Sequence, residues 1–105
     1  MRGFLYIDND QLGEVDFKII DESMGVIGGD LVPNTNYAIY QPKVQRQCDL
    51  KGISNVTDFN FRIVLADNTE LNPEGGIGLT DLEEFEEIYV ECAGLDVDVI
   101  LKCGQ

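Results

Sequence analysis

Phe59, Phe61, Ile63 and Leu65 recur at every second residue within Thr57–Ala66, so an extended backbone carries all four on one side. The other side, Asn60, Arg62, Val64 and Ala66, is mixed, which is the pattern of a strand with one face in a core and one face wet. Asp67-Asn68 follows directly, and both residue types tolerate the positive φ of a tight turn. Thr69-Glu70-Leu71 can then run back alongside. The stretch reads as a β-hairpin, and a hairpin commits the chain to an antiparallel sheet.

The same rhythm recurs elsewhere. Phe4–Ile7 suits a first strand, with Asn9-Asp10-Gln11 as turn formers. In Glu14–Ile20, Val15, Phe17 and Ile19 alternate with Glu14, Asp16 and Lys18, so a second strand is expected there. A third falls within Met24–Val32, interrupted by Gly25, Gly28 and Gly29 and stopped by Pro33-Asn34-Thr35-Asn36. Tyr37–Tyr40 reads as a short helix or loop, because Pro42 biases Gln41 toward an extended conformation. Thr80 with Glu83 offers a reciprocal capping pair for a short helix. Ile88–Cys92 alternates as a strand, Gly94 turns the chain, and Leu95, Val97, Val99, Leu101 and Cys103 mark a last strand. Six or seven short strands predict a mainly β fold, a small antiparallel barrel or sandwich with one or two short helical turns. An α+β sheet with one packed helix is the alternative.

With 105 residues and a hydrophobic fraction of 44%, the chain is expected to form a single domain over 1–105 that buries somewhat over ~60% of its unfolded surface. The run Phe4–Ile7 before Asp8 is too short for a secretory signal or a membrane span, which points to a cytoplasmic protein. The oligomeric state is left open.

Charge carries most of what the composition says about partners. Twenty acidic against 7 basic residues give −13. Residues 1–52 contribute −3 and residues 53–105 contribute −10. Such a field repels nucleic-acid phosphates and anionic lipid headgroups and steers basic partners. Lys43, Arg46 and Lys51 form the one locally basic segment and are expected to face acids of the second half.

Motifs for chemistry are thin. The chain has no histidine, so the usual base for a serine or cysteine nucleophile is missing. Cys48, Cys92 and Cys103 contain no C-x-x-C pair and read as small buried hydrophobes rather than zinc ligands. Asp8-Asn9-Asp10-Gln11-Leu12-Gly13 opens like an EF-hand loop, but Leu12 and Ile19 occupy the fifth and twelfth positions, where oxygen ligands are needed. A plain hairpin turn is expected instead. Gly75-Gly76-Ile77-Gly78 lacks the G-K-[ST] ending of a phosphate loop, and no lysine or arginine lies between Arg62 and Lys102. Asn55-Val56-Thr57 fits a glycosylation acceptor that a cytoplasmic protein would not use. No metal and no cofactor is therefore expected.

A protein partner remains. Glu83, Glu84, Glu86 and Glu87 crowd between Asp81 and Glu91, and such density raises on-rate and specificity toward a basic surface. Tyr37 and Tyr40 are amphipathic aromatics of the kind that anchor interfaces. The expected function is a non-enzymatic interaction domain that offers an acidic surface to a basic protein, as an inhibitor or immunity-type protein does. A small-ligand-binding barrel or carboxylate-based enzyme built on Tyr37, Tyr40 and Asp21 is one alternative. A subunit of a structural assembly, with Ile20, Val64 and Ile100 as contacts, is another.

Overall fold

The computed structural model describes residues 1–55 and 58–95. Eight strands and one helix follow in the order β1 (Arg2–Ile7), β2 (Asp10–Asp16), β3 (Lys18–Asp21), β4 (Val26–Pro33), α1 (Tyr37–Lys51), β5 (Ser54–Asn55), β6 (Phe61–Leu65), β7 (Ile77–Thr80) and β8 (Tyr89–Cys92). They form one antiparallel half-barrel sheet with the path β5-β7-β8-β4-β2-β1-β6, and β3 pairs with β4 beside it. The mainly β antiparallel class stands. The strand expected after Gly94 lies outside the described residues apart from Leu95, as do Cys103 and Ile100.

The opening alternation does what its period demands from Phe61 onward, while half-buried Phe59 precedes the strand. Phe61, Ile63 and Leu65 are all buried, whereas Arg62 and Val64 are half-exposed. The turn is at Asp67-Asn68, where Asn68 takes φ 72°. The return segment is short: Leu65 N–H donates to Thr69 O at 2.8 Å and Leu71 N–H to Ile63 O at 2.9 Å. The β1–β2 hairpin turns at Asp8, φ 52°, so the segment resembling a calcium loop is a hairpin turn. Leu5, Leu12, Val15, Phe17, Ile27, Ile63, Leu79 and Val90 fill the concave side, each contributing about 1.5–3 kcal/mol by leaving water. Cys48 and Cys92 are buried free thiols.

Some local expectations need correction. The strand read over Glu14–Ile20 is two, split at buried Phe17, and β3 is exposed along its length. Its register shifts between Ile19 and Asp21, and a bulge beside a lysine protects a strand edge from unwanted pairing. The glycines at 28 and 29 do not interrupt β4, which runs through them.

The largest difference is α1. It is fifteen residues long and contains Pro42, which removes an intrahelical bond at about 3 kcal/mol. What offsets that cost is outside the helix: its inner face buries Tyr37, Val44 and Cys48 against β2, β5 and β7. Asn34 Oδ1 accepts from the N–H of Asn36 at 2.9 Å, and the Asn34 and Asn36 amides both donate to Gln11 O. The helix start is thereby fixed to β2. Gly52, at φ 84°, closes the other end by donating to Cys48 O. No helix among the described residues is long and apolar enough to cross a membrane.

Candidate functional site

β7 and β8 pair from Ile77↔Cys92 to Thr80↔Tyr89, so residues 81–88 connect them at one end of the sheet. Both ends of this connection are pinned. Asp81 is 2% exposed and Ile88 is buried, and Leu82 packs against the core. Between them Glu83, Glu84, Phe85, Glu86 and Glu87 are all exposed, with Phe85 N–H donating to Leu82 O at 2.9 Å across a turn. The capping helix expected from Thr80 and Glu83 does not form. Thr80 stays in the sheet ladder, and the Asp81 side chain is claimed by α1.

That claim is a buried polar cluster. Tyr37 Oη donates to Asp81 Oδ2 at 2.6 Å, Gln41 Nε2 to the same oxygen at 3.1 Å, and Gln45 Nε2 to Oδ1 at 3.2 Å. The Asp81 N–H points at Cys48 Sγ, 3.4 Å away. Residues 37, 41, 45 and 48 recur at helical spacing and so share one face of α1. A carboxylate out of water must have its lone pairs filled, and here neutral donors fill them, with no cation in ion-pair range among the described residues. Burial, then the bond to Asp81, push the Tyr37 phenol far above its usual range, so it remains a donor. The cluster ties the root of the acidic loop to the helix.

The expected site residues therefore separate. Tyr37, 1% exposed, is a core residue and is withdrawn from any partner surface. Tyr40 is half-buried and donates to Asp10. Its ring meets Phe59 edge-on at 6.3 Å, and Phe59 meets Phe61 at 5.6 Å, so Tyr40 joins α1 to the β1–β2 turn and β6. Asp21 is the last residue of β3 and accepts from Ser23 Oγ and the Met24 N–H in the turn that follows, bonds that hold its carboxyl below the usual carboxylate range. No hydrogen bond among the described residues links it to either tyrosine. Glu83, Glu84, Glu86 and Glu87 do fall together in one exposed loop.

Phe85 was missed. It is 58% exposed, midway between two pairs of glutamates, and an apolar residue inside a run of acids was the signal. Among the described residues the ion pairs lie elsewhere: Lys51 answers Asp58 at 2.7 Å and Arg62 answers Glu70 at 2.5 Å, and the other two hold the N-terminal amine to Asp16 and Arg2 to Glu14. Only Lys51 of the basic segment meets an acid of the second half, and Lys43 and Arg46 make no ion pair among the described residues.

With so much uncompensated negative charge, added salt is expected to raise the melting temperature, because screening beyond about 10 Å at 0.1 M weakens self-repulsion. Thermal melts followed by circular dichroism at low and moderate salt measure this. A flat or falling trend would mean that the acids are already compensated. Comparison of the chain with family models, with curated proteins and with solved structures finds no match.

Proposed function

We propose that this protein is a non-enzymatic interaction domain that offers its 81–88 loop to a basic protein surface. The observation that carries the reading is Phe85, held out in solvent with two glutamates on either side and no basic side chain paired to them among the described residues. An aromatic anchor ringed by charge combines the two parts of a binding surface: burial of the ring supplies affinity, and the rim supplies steering and specificity. Anchorage through Asp81 limits the conformational freedom the loop would lose on binding. An inhibitor or immunity-type role follows if the partner's basic surface is the cleft of a nuclease-like protein. The ligand-barrel alternative has less support, because side chains fill the concave side of the sheet.

Affinity capture from the source cell's lysate tests the reading. The wild type should retain a basic protein at low salt and release it at high salt. Phe85→Ala, and Gln in place of Glu83, Glu84, Glu86 and Glu87, should each abolish retention while leaving the melting curve intact. Retention of nothing at low salt, or of the same protein by all three forms, would remove the proposal.

A further inference from the structure

Ile39 and Leu50 are the most exposed large apolar residues among those described, at 72% and 74%, and both lie on α1. Eleven residues apart, they stand on the same side of the helix roughly 16 Å from each other along its axis. Lys43 and Arg46 lie between them, four and seven residues after Ile39, and so fall on the same stripe. The stripe is opposite the inner face formed by Tyr37, Gln41, Val44 and Cys48, and all four of its residues are exposed. Asp49, the one acid of the helix, is offset by roughly a quarter turn.

We propose that this outward face of α1 is a second docking surface, whose occupant is an acidic amphipathic segment of another protein. The chemistry on both sides selects it. Two apolar side chains left in water favour an apolar counterpart, and two cations that make no ion pair among the described residues favour carboxylates. Both are unusual in a chain of −13, where acids abound to neutralise any free lysine or arginine. A second copy is disfavoured. Pairing α1 with α1 sets cations against cations, and whole copies repel through their net charge. At physiological salt the Debye length is ~8 Å, so a segment in contact with the stripe feels Lys43 and Arg46 more than any charge beyond that range. This face does not depend on the reading of the acidic loop.

The test uses the full chain and a fluorescent synthetic helical peptide of glutamates with leucines along one face. Its anisotropy is read against wild type, Lys43→Glu/Arg46→Glu, Ile39→Ser/Leu50→Ser, and the loop variant Phe85→Ala, with circular dichroism confirming the fold of each. The wild type and Phe85→Ala should bind equally and saturably. The two stripe variants should bind at least about tenfold more weakly. No saturable binding to wild type, equal binding by the stripe variants, or loss of binding in Phe85→Ala would each overturn the proposal. Sedimentation of the protein alone completes it: self-association abolished by Lys43→Glu/Arg46→Glu would give the face to a second copy and overturn the proposal as well.

Discussion

Tyr37→Ala is expected to cost about 4–6 kcal/mol, enough to leave an ordinary domain of this size largely unfolded. Two effects add. The ring is wholly buried, and its loss opens a cavity between α1 and the sheet. The hydroxyl is also the shortest donor to a carboxylate that has left water, so Asp81 loses a bond it cannot replace at no cost. Tyr37→Phe separates them, since it keeps the packing and should cost about 1–3 kcal/mol. Asp81→Asn should cost a similar amount, because an amide has one acceptor oxygen where donors from Tyr37, Gln41 and Gln45 approach both carboxylate oxygens. The double variant should then show a coupling of about 1 kcal/mol or more. Urea unfolding followed by far-UV circular dichroism measures all of these, and suits a chain with no tryptophan. A Tyr37→Phe midpoint equal to that of wild type would mean that the hydroxyl contributes nothing, and the proposed anchoring of the loop would fall with it. The same variant should become more open to proteolysis at Glu83–Glu87, because the root of the loop is released before the sheet is.

What was legible in the residues was local and periodic. The alternation through Phe61, Ile63 and Leu65 placed three core residues, Asp67-Asn68 placed a turn, and Ile88–Cys92 placed all of β8. The helix was not legible, and the reason is physical. Its inner face includes Gln41 and Gln45, so no continuous apolar stripe marks it. It is held by a carboxylate at position 81, from which Tyr37 is separated by 44 residues, and periodicity cannot report a partner so distant. Pro42 added a local signal against helix that tertiary contacts outweigh. The Thr80/Glu83 pair failed for the related reason that ladder pairing with Tyr89 and burial of Asp81 outrank a capping pair of about 1 kcal/mol. The acidic loop itself could be located from sequence, because charge needs no partner to be seen. Phe85 was obscured because a lone apolar residue reads as readily as a core contact as an exposed one.

Gly13→Ala is expected to cost about 3 kcal/mol, far more than one methyl group usually does. Gly13 lies in β2 with β1 on one side and β4 on the other, opposite Leu5 and Pro33. A Cβ built there would stand 2.3 Å from Val32 O, 3.0 Å from Leu31 Cδ1 and 3.0 Å from Pro33 Cα. The nearest of these atoms is backbone, so no rotamer change relieves the contact; β4 must move, and the pairs Glu14↔Val32 and Val15↔Leu31 must move with it. The register of β1 against β2 shifts beside this point, between Leu5 and Tyr6, and fully buried Leu12 is the extra residue. Glycine thus lets the strands close over a bulge that turns Leu12 into the core. Gly52→Ala is the control. It adds the same methyl group at φ 84°, where nothing lies within 4 Å, so only the left-handed backbone is penalised, at about 1 kcal/mol. A larger loss at Gly13 than at Gly52 therefore reports the contact with β4 rather than the added methyl group itself. If Gly13→Ala is no more costly than Gly52→Ala, then β2 and β4 do not approach so closely, and the curvature that sets β4 between β2 and β8 has to be attributed to another residue.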